Sequence, residues 1–165
     1  WFLGSNEYLK EIRKNISIPI LRKDFTVDDY MIYEAKVIGA DAVLLICTIT
    51  ENDVLKHRIE LAKSLGLSSL VEAHSEEEIQ AAIDAGAEII GVNNRNLKDF
   101  SVDVSLSAKF RKEVPENILF VAESGIKTVQ QVRDLESDGV NAVLVGETLM
   151  RASDRVKAVR DFCGR

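Results

Sequence analysis

The chain has 165 residues, 46% of them hydrophobic and 29% charged, and a net charge of −6. That is the make-up of one soluble globular domain with a real core, and without a basic stripe to meet phosphate backbones it excludes a nucleic-acid partner. No apolar run approaches the length of a membrane span and no charged segment followed by an apolar one opens the chain, so a cytoplasmic protein with no membrane partner is expected.

Short β-branched runs recur from end to end. The first is "IPIL" at 18–21, followed by "VDDYMIYEAKVIG" at 27–39. There Val27, Tyr30, Met31, Val37 and Ile38 largely share one helical face, with Thr26 placed to cap the helix and Gly39 to end it. Further strands are predicted at 42–46, 69–73, 89–92, 118–121 and 142–145, each too short for a helix. Helical spacing fills the segments after Glu51, Ser75, Asp103, Thr128 and Asp154, and Gly66, Gly86 and Gly139 stand before the next strands. This is a series of six βα units, hence an α/β fold with parallel strands and right-handed crossovers, over residues 1–165 as one domain. Cys47 and Cys163 have neither metal-ligand spacing nor disulfide density and read as free thiols.

The polar residues favour part of a (β/α)8 barrel over an open sheet. Lys23, Glu72, Asn93, Glu123 and Gly146 lie at or just past the C-terminal ends of five different strands, which in a barrel converge on one mouth. An open doubly wound sheet spreads such residues along its edge and more often carries a glycine-rich first turn, absent here.

Glu72 is the sharpest of these signals. A carboxylate flanked by Leu70, Val71 and Ala73 in a parallel strand requires either a structural ion pair, for which Lys23 is one candidate, or a task in acid–base chemistry. Lys23 alone reads equally as the start of a loop paired with Asp24, Asn93 and Asn94 as turn or cap residues, and Arg95 as a surface residue. "ESG" at 123–125 and "VGE" at 145–147 are strand-to-helix turns, with Ser124 placed to cap a helix. Paired on the last two strands, they also have the makings of a phosphate cradle built from backbone N–H groups. His57 reads as a surface residue and His74 as a hydrogen-bonded loop residue, since a single histidine lacks the company a metal ion needs.

The strings "PILRKDF", "YEAKVIGADAVLLI", "LGLSSLVEAH", "GAEIIGVNNRNLKDFSVD", "VAESGI" and "AVLVGETLM", in this order, resemble the indole-3-glycerol phosphate synthases. The resemblance implies a (β/α)8 barrel that acts as a carboxy-lyase of tryptophan biosynthesis. Its substrate is 1-(2-carboxyphenylamino)-1-deoxyribulose 5-phosphate, which undergoes ring closure, decarboxylation and dehydration without metal or organic cofactor. By the same resemblance Lys23 is the general acid on the substrate carbonyl, Glu72 and Asn93 complete the catalytic set, and Arg95, Glu123 and Ser124 contact substrate. Gly125, Gly146 and Glu147 match the phosphate-binding turns, and Phe25 and Leu44 the apolar wall around the anthranilate ring.

Against a full barrel of about 250 residues, the six units correspond to strands three to eight. The resemblance begins after the second strand, and the chain begins at Trp1 rather than Met. The sequence is therefore expected to be an incomplete barrel, N-terminally truncated, whose open sheet edges pair in a homodimer or with a complementing N-terminal fragment. The alternative function is a catalytically incomplete phosphate-binding module that assembles through those edges. Phosphoribosylanthranilate isomerase, another barrel, fits "LRKDF" and "GVNNRN" poorly.

Overall fold

The computed structural model describes residues 4–95 and 101–164, so the stretch that follows Arg95 in the "GVNNRNLKDF" motif lies outside the described residues. The chain divides into two compact units, residues 1–72 with 80–88 and residues 73–79 with 89–165.

The first unit holds α1 (Asn6–Asn15), β1 (Leu21–Arg22), α2 (Asp29–Val37), β2 (Ala42–Ile46) and α3 (Asn52–Ser64). The next two elements, β3 (Ser68–Ala73) and α4 (Glu76–Asp84), include residues of both units. β1, β2 and β3 pair in parallel and in chain order, with Leu21 opposite Ala42 and Ile46 opposite Glu72. Because side chains alternate across a strand, Val43, Leu45 and Val71 share one face, and Leu44, Ile46, Leu70 and Glu72 share the other. Both faces are buried, which is why these strands read as continuous apolar runs rather than alternating ones.

The second unit holds β4 (Ile89–Asn93), α5 (Ser105–Arg111), β5 (Leu119–Glu123), α6 (Val129–Ser137) and β6 (Ala142–Leu144). Two short helices, α7 (Glu147–Arg151) and α8 (Arg155–Phe162), follow. β4, β5 and β6 are again parallel and in chain order, with Asn93 opposite Glu123 and Glu123 opposite Leu144. Ile90, Val92, Phe120 and Ala122 are completely buried; each large apolar side chain so placed contributes about 1.5–3 kcal/mol. α6 begins with a full capping box, in which Thr128 accepts from the Gln131 amide and the Gln131 side chain accepts from the Thr128 amide. Among the described residues, no helix is long and apolar enough to cross a membrane. Cys47 is buried and Cys163 exposed, both as free thiols.

Four local expectations are corrected. The first strand is Leu21–Arg22 rather than 18–21: Pro19 has no N–H to give a ladder, Ile18 is exposed, and the Ile20 carbonyl serves the Asp41 and Ala42 amides. The α2 cap is Asp28, whose carboxylate accepts from the Tyr30 amide, not Thr26, which is buried with its carbonyl taken by Arg58. The buried side of α2 is Ile32 and Ala35, continued by Ile38 beyond its end, whereas Val27, Tyr30 and Val37 face solvent. Similarly, Ser124 does not cap α6, since Thr128 does.

Candidate functional site

Lys23 follows the last residue of β1 and turns its ammonium toward β3. Its Nζ lies 3.0 Å from Glu72 Oε2. The glutamate is 2% exposed, while the lysine side chain keeps 37% of its surface open. This contact explains how so apolar a strand tolerates an acid: a buried carboxylate requires a hydrogen-bonded counter-charge. Leu44 stands on the same sheet face as Glu72, since Ile46 is the partner of Glu72 and Leu44 that of Leu70. Phe25 is half-exposed in the loop after β1.

The other predicted residues gather at the strand ends of the second unit. Asn93 ends β4 and Glu123 ends β5, and the two are register partners on one face. The Asn93 side chain accepts from the Arg95 amide at 3.0 Å, which turns the chain away from the strand. From there the Arg95 guanidinium reaches Glu147 Oε2 at 3.3 Å, and Arg151 reaches the other oxygen of the same carboxylate at 3.0 Å. The charge of Glu147 is thus offset by two arginines beside the turn at Gly146. Gly146 is the N-cap residue of α7, and its carbonyl accepts from the Met150 amide.

The "ESG" turn is the most constrained backbone in this unit. Ser124 has φ 65°, the one non-glycine residue with positive φ among those described, and Gly125 follows at φ 77°. Left-handed conformations are unfavourable for residues with a Cβ and persist where the surroundings over-determine them. At Gly125 the requirement is also spatial, because a Cβ there would collide with Val102 Cγ1.

What holds the turn was not assigned from sequence. Asn94, 1% exposed, donates from Nδ2 to the Ser124 carbonyl at 3.1 Å and accepts at Oδ1 from both the amide and the hydroxyl of Ser107. The Ser107 amide is one of the first-turn donors that a helix leaves unsatisfied, and Val104, the N-cap residue of α5, makes no capping bond of its own. Asn94 therefore caps α5 from a distance while fixing Ser124. Thr148 adds a second tie, donating its hydroxyl to the Ile126 carbonyl at 2.7 Å and so linking α7 to the segment after the "ESG" turn. The expectation that Asn94 shapes a turn or caps a helix pointed in this direction, but nothing in the sequence signals its partner Ser107 or the role of Thr148.

Both histidines fall where the sequence placed them. His57 is exposed against Asp29, and the His74 amide donates to Glu78 at 2.7 Å.

Six parallel strands in strand–helix order define the class: an incomplete (β/α)8 barrel. Solved structures share the fold. A chain of the tryptophan synthase α2β2 complex from Pyrococcus furiosus matches with TM-score 0.73 at 18% identity, covering 97% of this chain and 73% of that one. KGPDC from Streptococcus mutans matches with TM-score 0.77 at 18% identity, covering 98% of this chain and 78% of that one. The chain belongs to the indole-3-glycerol phosphate synthase family, whose profile matches residues 1–162. The indole-3-glycerol phosphate synthase of Ruminiclostridium cellulolyticum is 58% identical over 93% of this chain, and that of Endomicrobium trichonymphae is 56% identical over 98%. The chain spans 59% and 63% of the lengths of these two relatives.

Proposed function

We propose that the chain carries catalytic chemistry of indole-3-glycerol phosphate synthase in the cytoplasm. That chemistry is the conversion of 1-(2-carboxyphenylamino)-1-deoxyribulose 5-phosphate to indole-3-glycerol phosphate, carbon dioxide and water. The observation that carries this reading is the Lys23–Glu72 contact at the ends of β1 and β3. As the aromatic carbon attacks the substrate ketone, negative charge develops on the carbonyl oxygen. A positioned ammonium stabilises that charge and delivers the proton. Carbon dioxide then leaves the same aromatic carbon, and loss of the hydroxyl as water completes the indole. Glu72 is the group that aims Lys23 and accepts a proton at the dehydration step. Leu44 and Phe25 supply the apolar wall for the anthranilate ring, and Asn93, Arg95, Glu123 and Ser124 the polar contacts to the sugar chain.

The substrate phosphate is assigned to the turns at Ser124–Gly125 and Gly146–Glu147. Support comes from the left-handed backbone at 124–125, from the link between the two turns through Thr148, and from the arginines that offset Glu147.

A turnover assay with the purified chain tests the reading, using Lys23→Met and Glu72→Gln. Each is expected to lower kcat by about 10²–10⁴, the range of general acid–base contributions. Wild-type turnover that survives both changes would remove the lysine and the glutamate from the chemistry. Titration with inorganic phosphate tests the cradle separately: amide NMR shifts are expected at Gly125 and Gly146, and unshifted resonances there would refute it.

A further inference from the structure

The reading of Lys23 as the acid leaves open what holds its loop. The segment from Lys23 to Asp28 joins β1 to α2 and contains no regular structure, yet its first residue places an ammonium against a buried carboxylate. Two arginines, each 8% exposed, stand at its two ends. At the entrance Arg22 donates from Nη1 to the Met31 carbonyl and from Nη2 to Glu34 Oε2, both at 2.7 Å, which ties the end of β1 to α2.

At the exit the tie comes from another element. Arg58 projects from α3 and donates to the Thr26 carbonyl at 3.1 Å and the Val27 carbonyl at 2.6 Å, while its Nε reaches Asp29 Oδ1 at 3.3 Å. A planar guanidinium presents its donors in a fixed fork, so three acceptors placed around it are held in one arrangement. Asp29 is fixed in turn by His57, whose Nε2 lies 2.8 Å from Oδ2.

We infer that Arg58 is the positioning residue for Lys23, fixing the far end of the β1–α2 loop so that the ammonium stays directed at Glu72. The inference rests on the proposed role of Lys23, but its test does not depend on turnover. A helix arginine used only for stability would gain as much from an exposed carboxylate; burial against two consecutive loop carbonyls is what a clamp on the loop requires. The three bonds also explain why the interior of a helix that is otherwise amphipathic carries a buried charge at this position.

The experiment compares wild type with Arg58→Gln and Arg58→Lys by amide hydrogen exchange and by the acylation rate of Lys23. Loss of even one of the three charge-assisted bonds corresponds to a factor of about ten in a local opening equilibrium. Exchange across residues 23–28 and Lys23 acylation are therefore expected to rise at least about tenfold in Arg58→Gln, with the strands at 42–46 and 68–73 unchanged. Arg58→Lys keeps the charge but not the fork and is expected to fall between the two. Should the glutamine variant not fold, the lysine variant carries the same comparison. Unchanged loop exchange, or a rise spread equally over loop and strands, overturns the inference. If wild-type turnover is present, kcat is expected to fall in both variants with KM little changed; if it is absent, the lyase reading fails while the exchange result still decides the role of Arg58.

Discussion

Replacing Asn94 by alanine removes three side-chain hydrogen bonds at once, one to the Ser124 carbonyl and two from Ser107. Each is worth about 1 kcal/mol net. The larger effect comes from what remains, because Ser107 is completely buried and its amide loses the partner that capped α5. A buried donor left without a partner costs about 1–3 kcal/mol. Together these place Asn94→Ala at about 4–6 kcal/mol of destabilisation, a large fraction of the 5–15 kcal/mol typical of a domain. With a urea slope of about 2 kcal/mol/M, the unfolding midpoint is expected to drop by about 2–3 M. Asn94→Asp separates the two roles. It keeps an acceptor for Ser107 but sets a carboxylate oxygen against the Ser124 carbonyl, so it should release the turn while sparing α5. Gly125 amide exchange in the aspartate variant reads that release directly. A midpoint shift for Asn94→Ala of less than about 0.5 M would show that Asn94 is replaceable and that the left-handed Ser124 is held by something else.

Gly125→Ala meets both a positive φ and a Val102 methyl in the space of the new Cβ; thermal unfolding is expected to show a loss of about 2 kcal/mol, and a neutral effect would mean that the turn relaxes freely. The Asp29 carboxyl is held below its ordinary range by the hydrogen bond with His57 and then by Arg58. A carboxylate depressed in the folded state stabilises it above the unfolded value of about 3.9 and loses that contribution as pH falls through the lower folded value. Stability measured from pH 5 to pH 2 should accordingly fall less steeply in Asp29→Asn than in wild type, and parallel curves would exclude the pair from acid unfolding. Among the described residues β1 pairs only with β2 and β6 only with β5. Unpaired strand edges are templates for association, so sedimentation of the chain at micromolar concentration is expected to show self-association, and a compact monomer with little dye-accessible apolar surface would refute it.

The βα series was legible because each strand is a short apolar run that stands out between amphipathic helices, most plainly in β2 and β3, where both sheet faces are buried. Glu72 was legible for the same reason: an acid inside such a run contradicts its surroundings and calls for a partner or a task, with Lys23 one candidate partner, and the structure supplies that contact. Helix details were less accessible where tertiary contacts override local pattern. Tyr30 and Val37 of α2 look like a core face by spacing, but Ile32 and Ala35 are the residues packed inward, and no local rule distinguishes two apolar stripes on one helix. Thr26 looks like a cap because of its chemistry, whereas its carbonyl is taken by an arginine 32 residues away.

That last case shows what kind of information a sequence withholds about such a site. A residue such as Glu72 is chemically unusual for its position and can be found on its own. Residues that hold the main chain beside it or beside Ser124 are ordinary in type and act through partners distant in the chain: Asn94 through Ser107 and Ser124, Thr148 through the Ile126 carbonyl, Arg58 through the carbonyls of Thr26 and Val27. Each of these three side chains reaches at least one backbone carbonyl, and every residue type offers the same carbonyl, so no side-chain pattern can encode that partner. The loop after β1 and the turn after β5 are consequently built alike, with a distinctive residue at one position and a buried polar side chain from another segment holding the main chain beside it. Substitution of the holders rather than of Lys23, Glu72 or Ser124 is the sharper probe of how the fold sets the geometry, since it moves those residues without altering their chemistry.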